Sequence, residues 1–256
     1  MDKCFIITGA GSGIGRAAAI ELANASNNHI LILIGRREGP LFDTLSQTNS
    51  PQRHFVATAD VREQQELAKI AEELQLGEKN LSGIFANAGI GGENSAGATD
   101  RWFDIINTNL TGAYNTVHAF LPYLKSSSAE KKSILFTSSI LAKIGVPGYE
   151  AYCASKAGLS GLCKALAVEL APENIAVNCL CPGWVNTKMA MSGLEEAAEK
   201  YGKDLDFIIK REMARVPFGR MSEPHEIGEW VKFLFTANQH SITGQSLDIN
   251  NGAFMS

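Results

Sequence analysis

Tyr152 and Lys156 stand four residues apart in the run Tyr152-Cys153-Ala154-Ser155-Lys156. At the start of a helix this spacing projects a phenol and an ammonium from one face. A cation held beside a phenol stabilises the phenolate, which lowers the tyrosine pKa from about 10 toward the range where it exchanges protons at neutral pH. Lys156 also has donors to offer to ribose hydroxyls. Thirteen residues before Tyr152, Ser139 ends an apolar run in Thr137-Ser138-Ser139. That places its hydroxyl at the carboxyl edge of a sheet, where α/β folds bind ligands.

A second group of chemistry-bearing residues lies near the N-terminus. Thr8-Gly9-Ala10-Gly11-Ser12-Gly13-Ile14-Gly15 leads from an apolar strand directly into a helix, the setting a dinucleotide-binding turn requires. Gly9 permits the tight turn, Gly13 lets the backbone approach a pyrophosphate, and Gly15 permits close helix packing. Exposed N–H groups at the helix start then meet the anion. An NAD-specific site carries an acid about twenty residues after such a turn, at the end of the second strand. Gly35 occupies that place and Arg36 and Arg37 follow it. Arg36 suits the extra 2′-phosphate of NADP, and the missing carboxylate removes a repulsion, so NADP is the expected cofactor and NAD the second choice.

The elements that must position these residues read as strands at 4–9, 29–35, 54–58, 82–87, 133–138, 175–181 and 246–249. Residues 29–35 are continuously apolar, as in a parallel strand covered on both faces. Helix-length stretches separate the strands, including 14–25, 100–124 with Thr99 as N-cap and Pro122 as a late kink or end, and 152–170 with a stripe of Leu159, Leu162, Leu166 and Leu170. The expectation is a Rossmann-like α/β fold, a doubly wound seven-stranded parallel sheet with helices on both faces. Residues 1–256 form one domain, in which a helical insertion at about 188–215 closes over a ligand.

Composition is that of a globular protein: 45% hydrophobic, 20% charged, with a net charge of -4 that argues against a nucleic-acid footprint. No apolar run reaches membrane-spanning length, and the start of the chain does not read as a signal peptide. Five cysteines lack C-x-x-C spacing and read as reduced thiols, so no metal is expected and the cytoplasm is the default compartment. Cys153, beside Tyr152, is read as a small packing residue at a helix start.

The variant spacing T-G-x-x-x-G-x-G, the Ser139 and Tyr152-x-x-x-Lys156 set, Asn87-Ala88-Gly89, Asn109, and Pro182-Gly183 with Thr187 occur in the order found in the classical short-chain dehydrogenase/reductase family, which the chain resembles from Ile6 to Gly252. The resemblance implies that Ser139, rather than Ser138, orients a substrate oxygen, Tyr152 transfers the proton and Asn109 completes a relay through water to Lys156. It further implies that Asp60 and Val61 flank the adenine, that Asn87, Ala88, Gly89, Pro182, Gly183 and Val185 line the cofactor, and that Thr187 holds the nicotinamide carboxamide. Read singly, Asn109 is equally an exposed helix residue and Asp60 a cap for a helix beginning near Arg62. A homotetramer or homodimer through the two long helices and the C-terminal segment is also implied. Asn250-Asn251-Gly252 departs from the acid and two glycines many relatives carry there.

The expected activity is hydride transfer between NADP(H) and a carbonyl or alcohol. A non-catalytic NADP-binding regulator is the alternative from another class. Sugar-nucleotide epimerases share the turn and the Tyr-x-x-x-Lys pair but need a larger C-terminal lobe. Met189, Met191, Trp184, Tyr149 and Phe207 read as an apolar pocket wall or as ordinary packing. Ketoacyl, steroid, sugar and small-ketone substrates all stay open.

Overall fold

The computed structural model describes residues 2–94, 97, 99–238 and 241–255. Seven strands, β1 (Lys3–Thr8), β2 (His29–Gly35), β3 (Phe55–Thr58), β4 (Leu81–Ala86), β5 (Lys132–Thr137), β6 (Ile175–Pro182) and β7 (Ser246–Ile249), form one sheet ordered β3-β2-β1-β4-β5-β6-β7. Every pairing is parallel. The order reverses between β1 and β4, which opens a crevice at their carboxyl ends. The doubly wound α/β fold expected from the apolar runs is therefore the fold observed.

Period-two alternation divides the apolar strand residues between two cores. Ile6, Ile32, Ile34, Ile84 and Phe136 face α3 (Gln64–Glu73), α5 (Gly112–Ser126) and α6 (Glu150–Leu170). Phe5, Ile7, Leu31, Leu33 and Phe85 face α1 (Gly13–Ala25), α2 (Glu38–Leu45) and α9 (Pro224–Thr236). Because both faces are covered, the strands carry no polar face, which explains why β2 is apolar throughout. The α6 stripe packs as expected, with Leu159, Leu166 and Leu170 buried and Leu162 half-buried.

The single helix expected at 100–124 is instead three pieces. α4 (Trp102–Ile106) runs into a π-helical turn at Asn107–Thr111, and α5 follows. The wide turn, in which the Gly112 N–H reaches the Asn107 carbonyl, carries Asn109 inward. Asp100 rather than Thr99 serves the helix start, its Oδ1 accepting from the Trp102 N–H at 2.9 Å. Pro122 neither ends nor interrupts α5, which runs on to Ser126.

The 188–215 segment is two helices, α7 (Lys188–Tyr201) and α8 (Leu205–Met213), separated at Gly202 with φ +58°. They enclose a small core of Leu194, Ala198 and Ile208, joined by Trp184 and Met191. Trp184 and Met191 therefore pack inside this segment instead of walling a pocket, and half-exposed Phe207 lies under the Lys203 ammonium. Among the described residues no helix is long and apolar enough to cross a membrane.

At the C-terminal departure, Asn250 Oδ1 accepts from the Gly252 N–H at 3.0 Å, and Asn251 takes φ +55° while its Nδ2 donates to the Arg220 carbonyl. Asparagine is among the side chains that enter the left-handed region at least cost, so the turn forms without the glycine.

Candidate active site

The glycine-rich turn is held from several sides. Gly9 and Gly13 adopt φ +67° and +53°, conformations that favour glycine. A Cβ on Gly15 would lie 2.3 Å from the Gly9 carbonyl oxygen, so α1 packs on the turn as closely as glycine alone allows. Arg16 donates to the Gly11 carbonyl at 2.7 Å and to Thr44 Oγ1, and Thr44 donates to the Ala10 carbonyl at 2.9 Å. These two braces, from α1 and α2, carry no signal in the sequence.

Ser12 stands at the N-cap of α1 without using its side chain as a cap. The amides of Gly13, Ile14 and Gly15 thus begin the helix facing the crevice, a geometry that fits a pyrophosphate. Thr187, the N-cap of α7, faces the turn, its Cγ2 3.2 Å from where a Gly13 Cβ would stand. Arg36 and Arg37 are exposed beyond β2 and form no ion pair among the described residues, leaving both forks free for a phosphate. Asp60 lies close enough to Arg36 to feel its charge, but its carboxyl is held below the usual range chiefly by hydrogen bonds from Arg62. These residues fit a nicotinamide dinucleotide along the β1 to β3 side of the crevice.

Other cofactor candidates have their side chains committed to the fold. Asn87 Nδ2 donates to the Thr8 carbonyl at 3.0 Å while its Oδ1 accepts from Thr137 Oγ1 at 2.9 Å, bracing β1, β4 and β5 together. Thr8 Oγ1 accepts from the amides of Asn87 and Ala88. Val61 is buried against Gly112, and Val185 packs into the core on the other face of the sheet. Gly183 follows Pro182 at the end of β6, with its N–H donating to the Ile249 carbonyl.

The three reactive candidates converge where β5 meets α6. Ser138 points inward and donates to the Lys156 carbonyl at 2.9 Å, while Ser139 accepts from the Leu141 N–H and lies close enough to Tyr152 to pull its phenol pKa downward. The two serines beyond β5 thus face opposite ways, Ser138 into the fold and Ser139 toward Tyr152. Lys156 is buried and its Nζ donates to the Thr137 carbonyl at 2.7 Å, lying 5.4 Å from the centre of the Tyr152 ring.

The expected lowering of the Tyr152 pKa is not found. Burial pushes the phenol up to about 12, against a smaller downward pull from Ser139. Burial also lowers Lys156 to about 8. Desolvation outweighs the nearby cation because the ammonium is directed at Thr137 and not at the phenol oxygen. A raised phenol is a proton donor at neutral pH, which suits the reducing direction.

Asn109 joins this group through Gly89, whose Cβ would stand 3.1 Å from Asn109 Oδ1 and 3.6 Å from Lys156 Nζ. Its Oδ1 accepts from the Ile90 N–H at 2.8 Å, and its Nδ2 donates to the Ile90 carbonyl at 3.0 Å and Ser155 Oγ at 3.2 Å. The buried side chain is therefore a clamp on the loop after β4, neither exposed nor free to transfer protons itself. Met189 and Tyr149 close the site from the side, Met189 against Gly91 and the Tyr149 hydroxyl near Gly193. Glu93 pairs with Lys200 of α7 at 2.9 Å. Cys153 is half-buried with its thiol toward the Ile144 carbonyl, and all five cysteines are free. No cluster of metal-ligating side chains occurs among the described residues.

Comparison with known proteins bears on this arrangement. The short chain dehydrogenase family profile matches residues 3–198. A Streptomyces virginiae protein named as a ketoacyl reductase of the monensin polyketide synthase is 33% identical, over 98% of this chain and 97% of its own length. The 3-oxoacyl-acyl-carrier-protein reductase of Aggregatibacter actinomycetemcomitans is also 33% identical, over 98% and 99%. Among solved structures, a variant of the actinorhodin polyketide ketoreductase determined with NADPH superposes with a TM-score of 0.87 at 30% identity, covering 98% of this chain and 97% of that one. With the family profile matched over most of its length, the chain belongs to the short-chain dehydrogenase family of oxidoreductases, enzymes that use a nicotinamide cofactor on small molecules bearing alcohol or carbonyl groups.

Proposed function

We propose that this protein is an NADP-dependent carbonyl reductase, running in reverse as an alcohol dehydrogenase. The observation that carries the reading is the approach of Ser139 to the Tyr152 phenol beside a buried Lys156, at the crevice edge that also holds the glycine-rich turn. NADPH, when bound, supplies the hydride. Ser139 holds the carbonyl oxygen of the substrate, and Tyr152 donates its proton to that oxygen as negative charge develops there. Lys156 holds positive charge next to the phenol and offers donors to the ribose. Asn109 keeps the loop after β4 in place beside Lys156, and Gly9, Gly11 to Gly15, Asp60, Val61, Asn87 to Gly89, Pro182, Gly183, Val185 and Thr187 line the cofactor.

The relatives named as ketoacyl reductases make 3-oxoacyl thioesters the first substrate class to examine. The five free thiols fit a reducing compartment such as the cytoplasm. Exposed Phe103 and Val168 on the helical face and Phe218 and Met255 near the C-terminus fit a homodimer or homotetramer. α7 and α8 serve as the cover over the substrate.

The test is NADPH oxidation against 3-oxoacyl thioesters, quinones, small ketones and sugars, with NADH in parallel. Turnover with NADPH preferred is the expected result; saturable NADPH binding with no turnover on any of them would favour the regulator instead. In Arg36→Ala, the loss of a charge-assisted contact should raise the KM for NADPH about 10- to 100-fold while leaving that for NADH nearly unchanged. Equal losses with both cofactors would remove Arg36 from the 2′-phosphate site.

The acidity of Lys156 sets a pH dependence. Its lowered pKa means that the ammonium is present below about pH 8 and lost above it. The kcat/KM for ketone reduction, which reports free-enzyme ionisations, should therefore fall as pH rises through about 8. A profile still level at about pH 10, close to the unperturbed lysine pKa, would show that the charge on Lys156 is not needed.

A further inference from the structure

We propose that Asn94 is a positioning residue for the reaction, fixing the first turn of α6 so that Tyr152 meets Ser139, a role that rests on the reading of Tyr152 as the proton donor. The first N–H groups of any helix lack partners within it. Tyr149 stands at the N-cap of α6 but its side chain makes no capping bond. The acceptor comes instead from far away in the chain: Asn94 Oδ1 takes the Ala151 N–H at 3.0 Å. Asn94 also donates its own N–H to the Gly148 carbonyl at 2.8 Å, so main chain and side chain both grip the turn from which α6 springs.

Tyr152 follows Ala151 directly, whereas Ser139 belongs to the segment after β5. The distance between their hydroxyls is set by where the first turn of α6 sits relative to β5. Ser138 and Thr137 hold Lys156, one turn beyond Tyr152, and Leu159, Cys163 and Leu166 anchor the body of α6. Ahead of Tyr152, the side-chain hydrogen bond to the first turn comes from Asn94. The same loop clamps Asn109 through both polar groups of Ile90, so one segment after β4 registers the π-helical turn and the reactive helix together. Small displacements of a reacting group cost rate far more than affinity. Loss of the Asn94 acceptor should therefore lower kcat without weakening NADPH binding, which depends on the distant glycine-rich turn.

The experiment compares Asn94→Ala and Asn94→Asp with the parent, measuring kcat and KM with acetoacetyl-coenzyme A, NADPH affinity by fluorescence, and hydrogen exchange of the amides of residues 151–153. Aspartate keeps the acceptor, and a negative charge is welcome at a helix start. Asn94→Ala should lose about tenfold or more in kcat, keep its NADPH Kd within about twofold, and exchange those amides faster; Asn94→Asp should restore all three toward the parent. Full kcat in Asn94→Ala, or an aspartate variant as impaired as the alanine one, would overturn the proposal. Should Asn94→Ala fail to fold, Asn94→Gln, which displaces the same amide by one methylene, is expected to show the same kcat loss, and full kcat there is equally fatal. Activity retained in Tyr152→Phe would defeat the proton-donor reading instead, and the exchange data would still report whether Asn94 holds α6.

Discussion

Tyr152→Phe is expected to fold, to bind NADPH as the parent does, and to reduce ketones about 10²- to 10⁴-fold more slowly, the range over which positioned acid–base groups act. The phenyl ring keeps the shape that packs edge-on against Tyr149 at 6.4 Å. Only the hydroxyl is lost, and the Leu141 N–H keeps Ser139 Oγ as its acceptor. The glycine-rich turn lies on other elements and its cofactor contacts are untouched. The burial that raises the phenol to about 12 makes it a proton donor throughout the neutral range, and nothing else in the group replaces it. Ser139 is a far weaker acid, and the Lys156 ammonium is directed at Thr137. Steady-state rates with saturating NADPH, together with NADPH binding by fluorescence, decide the matter: a rate within tenfold of the parent would assign the proton to another group.

Gly15→Ala should abolish measurable NADPH binding and lower thermal stability. A Cβ there would lie 2.3 Å from the Gly9 oxygen and 2.6 Å from Asn87 Nδ2. Neither neighbour yields easily. Gly9 is held at φ +67°, and Asn87 is bonded to Thr8 and Thr137. Relief requires α1 to lift from the turn, which moves the helix-start amides away from the pyrophosphate position and costs about 1–3 kcal/mol or more, as overpacking of rigid interiors does. Gly39→Ala is the matched control, because nothing lies within 4 Å of its added carbon. That variant should keep parental stability and binding. Calorimetry and NADPH titration of the pair check the claim, and a Gly15→Ala protein indistinguishable from Gly39→Ala would refute the close packing of α1 on the turn.

The parts of the fold and site visible before the structure were those encoded over short spans. The apolar runs of strand length marked the sheet because its central strands are buried on both faces, a condition that leaves its mark on consecutive residues. Gly9, Gly13 and Gly15 were legible because backbone conformation and close approach demand glycine locally, and Tyr152 and Lys156 because one helical turn separates them. Ser139 was preferred to Ser138 because its spacing to Tyr152 and Lys156 resembles the family arrangement.

What stayed hidden depended on partners distant in the chain. The π-helical turn that buries Asn109 is not written in 107–111; it accompanies the clamp on Ile90 across the crevice. The direction of the Tyr152 pKa shift was misjudged because adjacency of Lys156 in sequence says nothing about its hydrogen bond to Thr137 or the desolvation of both groups. Residue type left Trp184 and Met191 open between pocket wall and packing, and the small core between α7 and α8 takes up part of both. Arg16, Thr44 and Asn94 brace the site by hydrogen bonds that close long loops.

The sequence by itself determined the periodicity of the elements, the places where only glycine fits and the spacing of the reactive pair, since these follow from backbone sterics over a few residues. Only the tertiary structure decided which polar groups are buried, which way their protons are pulled and what holds each in place. Desolvation and hydrogen-bond partners are properties of assembled surfaces, and no local stretch of chain contains them.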